Sequence, residues 1–251
     1  MQYRTNDGVT LHVQELGSGP PVVMLHGLLV GNMTTWYFSA APALAKRHRV
    51  IAYDLRGHGM SERAARGYDL ATMARDLEAI VDEVAEEPVD LVGHSYGAAV
   101  ALTFALRRPE RVKKLCLVEA PLPASHLEEL ESFLGRSPDE MLGALPGILR
   151  DAFAGGGRRG RRFVEALRFL AQESSVFQDL RQAEDIPDAR LAALALPLLA
   201  VYGKQSSCRP VGARLARVVP GARLVELEGG HFLPLEAPGP LTDAIGSFLD
   251  G

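Results

Sequence analysis

Gly93-His94-Ser95-Tyr96-Gly97 joins a short apolar run to a segment of helical composition. Residues 89–92 are predicted as a buried strand and residues 98–106 as a helix. A serine on such a strand-to-helix turn is strained and exposed, and glycines two residues to either side let the strand and helix pack closely. The helix N-terminus then directs backbone N–H groups at whatever Ser95 attacks. The stretch therefore predicts a nucleophilic serine.

Apolar runs and helical segments alternate on both sides of this turn. Residues 1–16 predict a β-hairpin around Asn6-Asp7-Gly8. Further strands are predicted at 20–25, 49–53, 114–118, 197–202 and 222–227, and further helices at 36–47, 69–86 and 237–249. This alternation indicates an α/β fold with a mostly parallel sheet covered by helices on both faces.

Several reactive side chains lie where predicted strands end. His26, Ser95 and Glu119 each follow a strand, and ligands bind outside the carboxyl ends of strands in such sheets. Ser95 needs a base to accept its proton. His231 is the only histidine after residue 126, and it lies on a glycine-rich loop after the last strand. His231 is therefore the predicted base.

Residues 121–190 interrupt the alternation. They contain several prolines and several helical stretches with no strand between them. An insertion over the active edge of the sheet explains this pattern better than an independent domain. We therefore expect a core domain at 1–120 and 191–251 and a helical cap at 121–190.

Composition excludes some classes of function. The 251 residues include 27 basic and 31 acidic side chains, so the chain lacks the excess of positive charge that nucleic-acid binding requires.

No apolar run is long enough to span a membrane, and no signal peptide is apparent, so a cytoplasmic location is expected. The only two cysteines are Cys116 and Cys208, and no histidines, cysteines or acidic residues fall at metal-ligand spacing. We expect neither a metal nor a cofactor.

Four motifs in this order resemble those of the α/β-hydrolase superfamily. They are His26-Gly27 after a strand, the segment from Asp54 to Ser61 with its Arg56-Gly57 pair, Gly93-x-Ser95-x-Gly97, and Gly230-His231 before the last helix. The similarity extends over about residues 3–250. It implies an eight-stranded sheet with a cap after the sixth strand, and the chain order nucleophile, acid, base.

The resemblance also implies roles for individual residues. Ser95 would be the nucleophile and His231 the general base, and the backbone N–H groups of Leu28 and Tyr96 would form an oxyanion hole. Most relatives carry the acid a few residues past the seventh strand, where this sequence has Ser206. Some haloalkane dehalogenases instead carry a glutamate at the end of the sixth strand, which is the position of Glu119. Glu119 is therefore the predicted acid.

Apolar side chains near these motifs suggest the substrate. Leu29, Trp36 and Phe232 are candidate pocket residues, which favours a small hydrophobic acyl or ester substrate over a sugar or peptide. Arginines at 158, 159, 161 and 162 are expected at a solvated helix start. The alternative is a binding site for an acidic partner, such as the phosphate group of an acyl carrier.

A cofactor-independent serine hydrolase follows from these features, with carboxylester hydrolysis as the leading reaction. The same triad serves thioester, lactone and carbon–carbon bond hydrolysis, so these alternatives stay open. Two rivals from other classes are a ligand-sensing receptor on the same scaffold and a catalytically silent interaction module. The complete set of reactive residues argues against the silent module, and the turnover number separates a receptor from an enzyme.

Overall fold

An eight-stranded sheet lies at the centre of the protein in a computed structural model. The structure describes residues 1–122 and 158–251, together with isolated positions at 132, 136, 137, 140, 143, 147 and 150. The strands are β1 (Gln2–Arg4), β2 (Thr10–Leu16), β3 (Pro21–Leu25), β4 (Arg49–Tyr53), β5 (Val89–His94), β6 (Val112–Val118), β7 (Leu198–Gly203) and β8 (Arg223–Leu227).

The strand order is β1-β2-β4-β3-β5-β6-β7-β8, which confirms the predicted α/β fold. β2 pairs antiparallel with β1 and β4, as expected for the N-terminal hairpin, and all the other pairs are parallel. The carboxyl ends of β3, β5 and β6 therefore meet at one edge of the sheet. The loops that leave these strands carry the residues that the sequence singles out.

Helices cover both faces of the sheet. They are α1 (Thr34–Tyr37), α2 (Ala41–Leu44), α3 (Leu70–Val84), α4 (Tyr96–Arg107), α5 (Arg158–Arg168), α6 (Val176–Arg181), α7 (Asp188–Ala192), α8 (Arg209–Val218), α9 (Leu233–Glu236) and α10 (Pro238–Asp250). Successive side chains of β3 alternate between two cores. Val23 and Leu25 pack with α3, α4 and α8, whereas Val22 and Met24 pack with α1, α2 and α10. Burial on both faces explains why β3 is a continuous apolar run.

The predicted helix over 36–47 is wrong. The structure has α1 and α2 there, separated by a turn at 38–40. Pro42 is the second residue of α2 and has no N–H to donate to the carbonyl of Phe38. The proline therefore divides one expected helix into two short ones.

Helices account for most of residues 158–181, the longest described stretch of the predicted cap. After α5, residues Phe169–Glu173 form a π-helical turn that leads to α6. The segment packs on the core through hydrogen bonds from the Tyr68 N–H to Asp179 Oδ2 (2.8 Å) and from the Ser175 N–H to the Ala65 carbonyl (2.9 Å). Most of 123–157 lies outside the described residues, so the cap boundaries at 121 and 190 stay a prediction. Within the described residues, no helix is long and apolar enough to cross a membrane.

Arg56 holds the loop after β4 against the rest of the core. Its guanidinium is 1 % exposed and donates to both oxygens of Asp76 on α3, at 2.7 and 2.6 Å. It also donates to Asp7 in the β1–β2 turn and to the Arg66 carbonyl. One buried cation therefore connects three segments and fixes the loop that supports the site described below.

Replacing Asp76 with alanine leaves the Arg56 charge buried without its main partner. We expect this change to lower the free energy of unfolding by about 3–5 kcal/mol, measured by urea denaturation. Asp82 on the same helix pairs with Arg111 at the surface, so the Asp82→Ala control costs at most about 1 kcal/mol. Equal losses in the two variants would contradict the role assigned to Arg56.

Candidate active site

Ser95 lies at the junction of β5 and α4 in a conformation that L-residues rarely adopt. Its φ is 53° and its ψ is −125°. The Ser95 N–H donates to the Val118 carbonyl at 2.8 Å, which ties the turn to the neighbouring strand β6. A Cβ on Gly93 would lie 2.5 Å from Ala98 Cα, and one on Gly97 would lie 2.3 Å from the His26 carbonyl oxygen. Only glycine fits at either position, which explains the spacing seen in the sequence.

His231 is placed against Ser95 by the loop after β8. The His231 Nε2 atom lies 2.8 Å from Ser95 Oγ, which is hydrogen-bonding distance. His94, the residue before the serine, donates its Nε2–H to the His231 carbonyl at 2.8 Å. The Phe232 ring also packs edge-on against the imidazole, with ring centroids 5.5 Å apart. Both contacts fix the position of His231.

Glu119 follows β6 and is completely buried. Its Oε2 atom lies 3.2 Å from His231 Nδ1, on the side of the ring away from Ser95. The Gly203 N–H and the Ser206 hydroxyl also donate to the Glu119 carboxylate. Ser206, at the position where most relatives carry the acid, therefore donates to Glu119, the predicted acid. These donors compensate the cost of burying the carboxylate.

Three residues with strained backbone lie close together at this site. Among the described residues, Leu29, Ser95 and Glu119 are the only residues other than glycine with a positive φ. They follow β3, β5 and β6, which are neighbouring strands of the sheet. Strained backbone of this kind persists where the surrounding structure holds it and is concentrated at functional sites.

Leu28 and Tyr96, whose backbone N–H groups form the predicted oxyanion hole, both follow residues of the Ser95 turn or its neighbours. A Cβ on Gly27, the residue before Leu28, would be 3.1 Å from Ser95 Cβ, so this loop approaches the serine closely. Among the described residues, neither N–H donates to a protein acceptor. The Tyr96 side chain points away into the core, where its hydroxyl donates to the Tyr68 carbonyl at 2.6 Å. Only its backbone is therefore available to a ligand at Ser95.

Two buried histidines hold the loop that carries Leu28. The Leu55 N–H donates to His26 Nε2 at 3.0 Å, and the Leu29 N–H donates to His58 Nε2 at 2.9 Å. The Nδ1–H groups of His26 and His58 donate to the Gly27 and Arg56 carbonyls, at 2.7 and 2.8 Å. Each imidazole therefore accepts one bond and donates one, which requires the neutral form.

Burial keeps these rings neutral. It lowers the pKa of His26 to about 4 and that of His58 to about 3, where the nearby His26 ring also contributes. Burial likewise lowers the pKa of His94 to about 3, with a contribution from His231. At neutral pH the three rings act as fixed hydrogen-bonding groups rather than as charges.

The three candidate pocket residues occupy different environments. Phe232 is half-buried beside His231, and Leu29 is buried with its φ at 67°. Trp36, on α1, is fully buried in the core and meets the edge of the His94 ring, and its part in a pocket stays a prediction. The half-buried Leu28 is a better candidate for the site opening.

Cys208 is a neighbour of the site that the sequence analysis did not identify. Its Sγ atom lies 3.6 Å from His231 Nδ1, just before α8. Cys208 has no histidine or acidic residue at ligand spacing in the sequence, and only the fold brings it to Glu119 and His231. No sequence signal was therefore available to find it.

The arginine cluster at 158–162 lies at the start of α5, as predicted. The side chains of Arg161 and Arg162 are exposed. An acidic or acyl-carrier partner for this cluster stays a prediction.

Comparisons with known proteins agree with this architecture. A family profile described as alpha/beta hydrolase fold matches residues 20–147. A 2-hydroxymuconate semialdehyde hydrolase from Pseudomonas sp. strain CF600 is 30 % identical, over 96 % of this chain and 91 % of that protein.

Solved structures superpose on the whole chain. A meta-cleavage product hydrolase from Pseudomonas fluorescens IP01 matches with a TM-score of 0.82 and 25 % identity, over 100 % of this chain and 97 % of that one. An esterase from Exiguobacterium antarcticum matches with a TM-score of 0.80 and 23 % identity, over 100 % of this chain and 99 % of that one.

The buried histidines predict a loss of stability in mild acid. Because their pKa values are lower in the folded chain than in the unfolded chain, the unfolded chain binds more protons below about pH 6.5. The stability that depends on neutral histidines is therefore fully present above about pH 6.5. It is lost as the pH is lowered toward the pKa values of these histidines in the folded chain. Between pH 7 and pH 5 each histidine contributes a loss on the order of 2 kcal/mol.

Urea unfolding at pH 7 and at pH 5 measures how much the buried histidines contribute to the loss of stability. His58→Gln cannot be protonated, so its loss of stability is smaller than that of the wild type by about 2 kcal/mol. His12→Gln changes a half-buried histidine outside the site and serves as the control for replacing a histidine with glutamine. If His58→Gln lost as much stability between pH 7 and pH 5 as the wild type does, this result would contradict the neutral, buried state of His58.

Proposed function

Because this chain belongs to the alpha/beta hydrolase fold family, we propose that it is a serine hydrolase that cleaves an ester-type bond through an acyl-enzyme. One observation carries the proposal. Ser95 Oγ, the His231 imidazole and the Glu119 carboxylate form a continuous line of hydrogen bonds, with distances of 2.8 and 3.2 Å. Nucleophile, base and orienting acid are recognised by this geometry rather than by their order in the chain.

In the first half of the reaction, Ser95 Oγ attacks the carbonyl carbon of the substrate. His231 Nε2 accepts the hydroxyl proton as the new C–O bond forms. The negative charge that develops on the carbonyl oxygen is stabilised by the N–H groups of Leu28 and Tyr96, which have no protein acceptor among the described residues. His231 then donates its proton to the leaving group as the substrate bond breaks.

In the second half, water takes the place of the leaving group. His231 accepts a proton from the water, which attacks the acyl carbon, and then returns a proton to Ser95 Oγ as the acid leaves. Glu119 accepts the Nδ1–H bond throughout and stabilises the imidazolium when it forms. Its complete burial keeps this interaction away from competing water.

The surroundings of Ser95 favour a small hydrophobic substrate. Leu28, next to Gly27, and Phe232, next to His231, are apolar and half-buried. Apolar walls with a few convergent polar groups are typical of small-molecule sites. We therefore place carboxylesters first, with thioesters and lactones as further substrates of the same triad.

Carbon–carbon bond hydrolysis is a second candidate, favoured by the relatives. The 30 % identical hydrolase is named for 2-hydroxymuconate semialdehyde, and the matching structure is named for meta-cleavage products. A ligand-sensing role on the same scaffold is a third candidate. A sensor differs from an enzyme by a turnover far below about one event per second.

Hydrolysis of a chain-length series of p-nitrophenyl esters and acyl thioesters tests the proposed function. We expect turnover that peaks at one acyl length, because a defined pocket binds one length best. Ser95→Ala, which removes the nucleophile and keeps the fold, reduces the rate to the background. No turnover by a folded wild type on any ester or thioester would contradict the proposal and favour a carbon–carbon substrate or a sensing role.

Glu119→Gln tests the acid without changing the size of the side chain. The amide cannot stabilise the imidazolium and favours the wrong tautomer of His231, so kcat/KM falls on the order of 10⁴-fold. The Ser206→Ala control removes a neighbouring hydroxyl and keeps the carboxylate, so it causes a much smaller loss. Activity of Glu119→Gln near the wild-type level would show that another group orients His231.

A further inference from the structure

Three different metal-binding groups meet on the side of His231 that faces away from Ser95. His231 Nδ1 lies 3.2 Å from Glu119 Oε2 and 3.6 Å from Cys208 Sγ. All the ligand atoms of this set, an imidazole nitrogen, a thiol sulfur and a carboxylate oxygen, lie within 4.8 Å of one another. Each comes from a different part of the sheet edge, after β6, before α8 and after β8.

The two distances from His231 Nδ1 are close to the edges of a zinc coordination tetrahedron. With ordinary Zn–N, Zn–O and Zn–S bonds, tetrahedral geometry separates nitrogen from oxygen by about 3.4 Å and nitrogen from sulfur by about 3.6 Å. The two measured distances from His231 Nδ1 are therefore already close to those of a bound ion. A thiolate together with imidazole and carboxylate selects a borderline-soft divalent cation over magnesium or calcium.

We propose that Glu119, Cys208 and His231 form a binding site for a divalent cation of the zinc class, and that occupation of this site inhibits the enzyme. Binding of the cation follows from the ligand geometry alone. Its effect on the rate rests on the proposed function, because it requires His231 to act as a base.

Inhibition follows from the position of one proton. In the free site the His231 Nδ1–H donates to Glu119, which leaves Nε2 able to accept the proton of Ser95. A cation on Nδ1 needs that lone pair, so the imidazole proton is carried by Nε2 instead, while the Cys208 thiol releases its proton to solvent. Nε2 then donates to Ser95 Oγ and cannot accept from it.

The surroundings also support the ligands and allow the cation to enter. The His231 side chain is 30 % exposed, whereas Glu119 and Cys208 are buried, so the cation enters past the imidazole. The Gly203 N–H donates to Glu119 Oε1 and the Ser206 hydroxyl to Oε2, so each carboxylate oxygen is held by one donor. Such outer contacts fix ligand orientation in metal sites. Water completes the fourth position, as at open zinc sites.

Titration with Co²⁺ tests binding without any measurement of activity. The full chain, without a polyhistidine tag, is titrated under reducing conditions and followed by absorption spectroscopy. We expect one equivalent of Co²⁺ to produce a sulfur-to-cobalt charge-transfer band, and Zn²⁺ to remove this band by displacement. Cys208→Ser lacks the band. It binds Zn²⁺ at least about tenfold more weakly, because the loss of a residue that only supports a metal ligand already lowers the affinity about tenfold.

The other cysteine provides a matched control. Cys116 is buried within β6, away from the three ligands, so Cys116→Ala retains both the band and the zinc affinity. Circular dichroism establishes that each variant is folded. If Cys208→Ser does not fold, Cys208→Ala replaces it, and the wild-type spectrum alone still tests the site. Absence of a charge-transfer band in the wild type would overturn the proposal.

The effect on the rate is measured as the ratio of activities with and without Zn²⁺. We expect strong inhibition of the wild type and Cys116→Ala, reversed by a chelator, and at least about tenfold weaker inhibition of Cys208→Ser. Equal zinc inhibition in Cys208→Ser would place the inhibitory ion elsewhere and overturn the proposal. A cobalt band in a chain without hydrolytic activity would instead support the metal site and contradict the proposed function.

Discussion

The site depends on holding Ser95 at a positive φ between β5 and α4. This conformation costs free energy for any residue with a Cβ, and the surrounding contacts must offset that cost. The hydrogen bond from the Ser95 N–H to the Val118 carbonyl stabilises the turn on the side of β6. The close approach of Gly93 to α4 and of Gly97 to β3 stabilises it through packing. Leu29 and Glu119 share the same kind of strain on adjacent strands. The sheet therefore acts as the rigid base on which three strained residues converge.

Neutral histidines provide the second layer of support. His26 and His58 each link two loops of the site through one accepted and one donated hydrogen bond, and His94 links β5 to the His231 carbonyl through one donated bond. A charged side chain in the same places would bring a large desolvation cost, and an aliphatic one would leave backbone N–H groups without an acceptor. Imidazole solves both problems because its neutral form both donates and accepts. Arg56 extends this support outward to α3 and to the first hairpin.

Local pattern was sufficient to predict the parallel sheet and to select Ser95, Glu119 and His231, which the structure places in one hydrogen-bonded line. Strand runs and glycine spacing are encoded within a few residues, so sequence reveals them. The contact of Cys208 with His231 joins segments 23 residues apart with no shared motif, and only the fold creates it. For Trp36 the sequence does not distinguish the two environments, because apolar side chains near a motif can face the core as easily as a pocket. Pro42 indicates a helix start, but the apolar pattern around it favours one continuous helix, and the prediction followed that pattern.

The location of Glu119 at the end of β6 has a consequence for the order in which the site is assembled. Ser95 and Glu119 both belong to the first six strands, whereas His231 follows β8, close to the end of the chain. As the ribosome makes the protein from its N-terminus, Ser95 and Glu119 emerge long before His231. β7 must add to the open edge of β6, and β8 to β7, before His231 can lie against Ser95. In the proposed mechanism, an unfinished chain therefore lacks its base, and Ser95 becomes reactive only when the C-terminal strands dock.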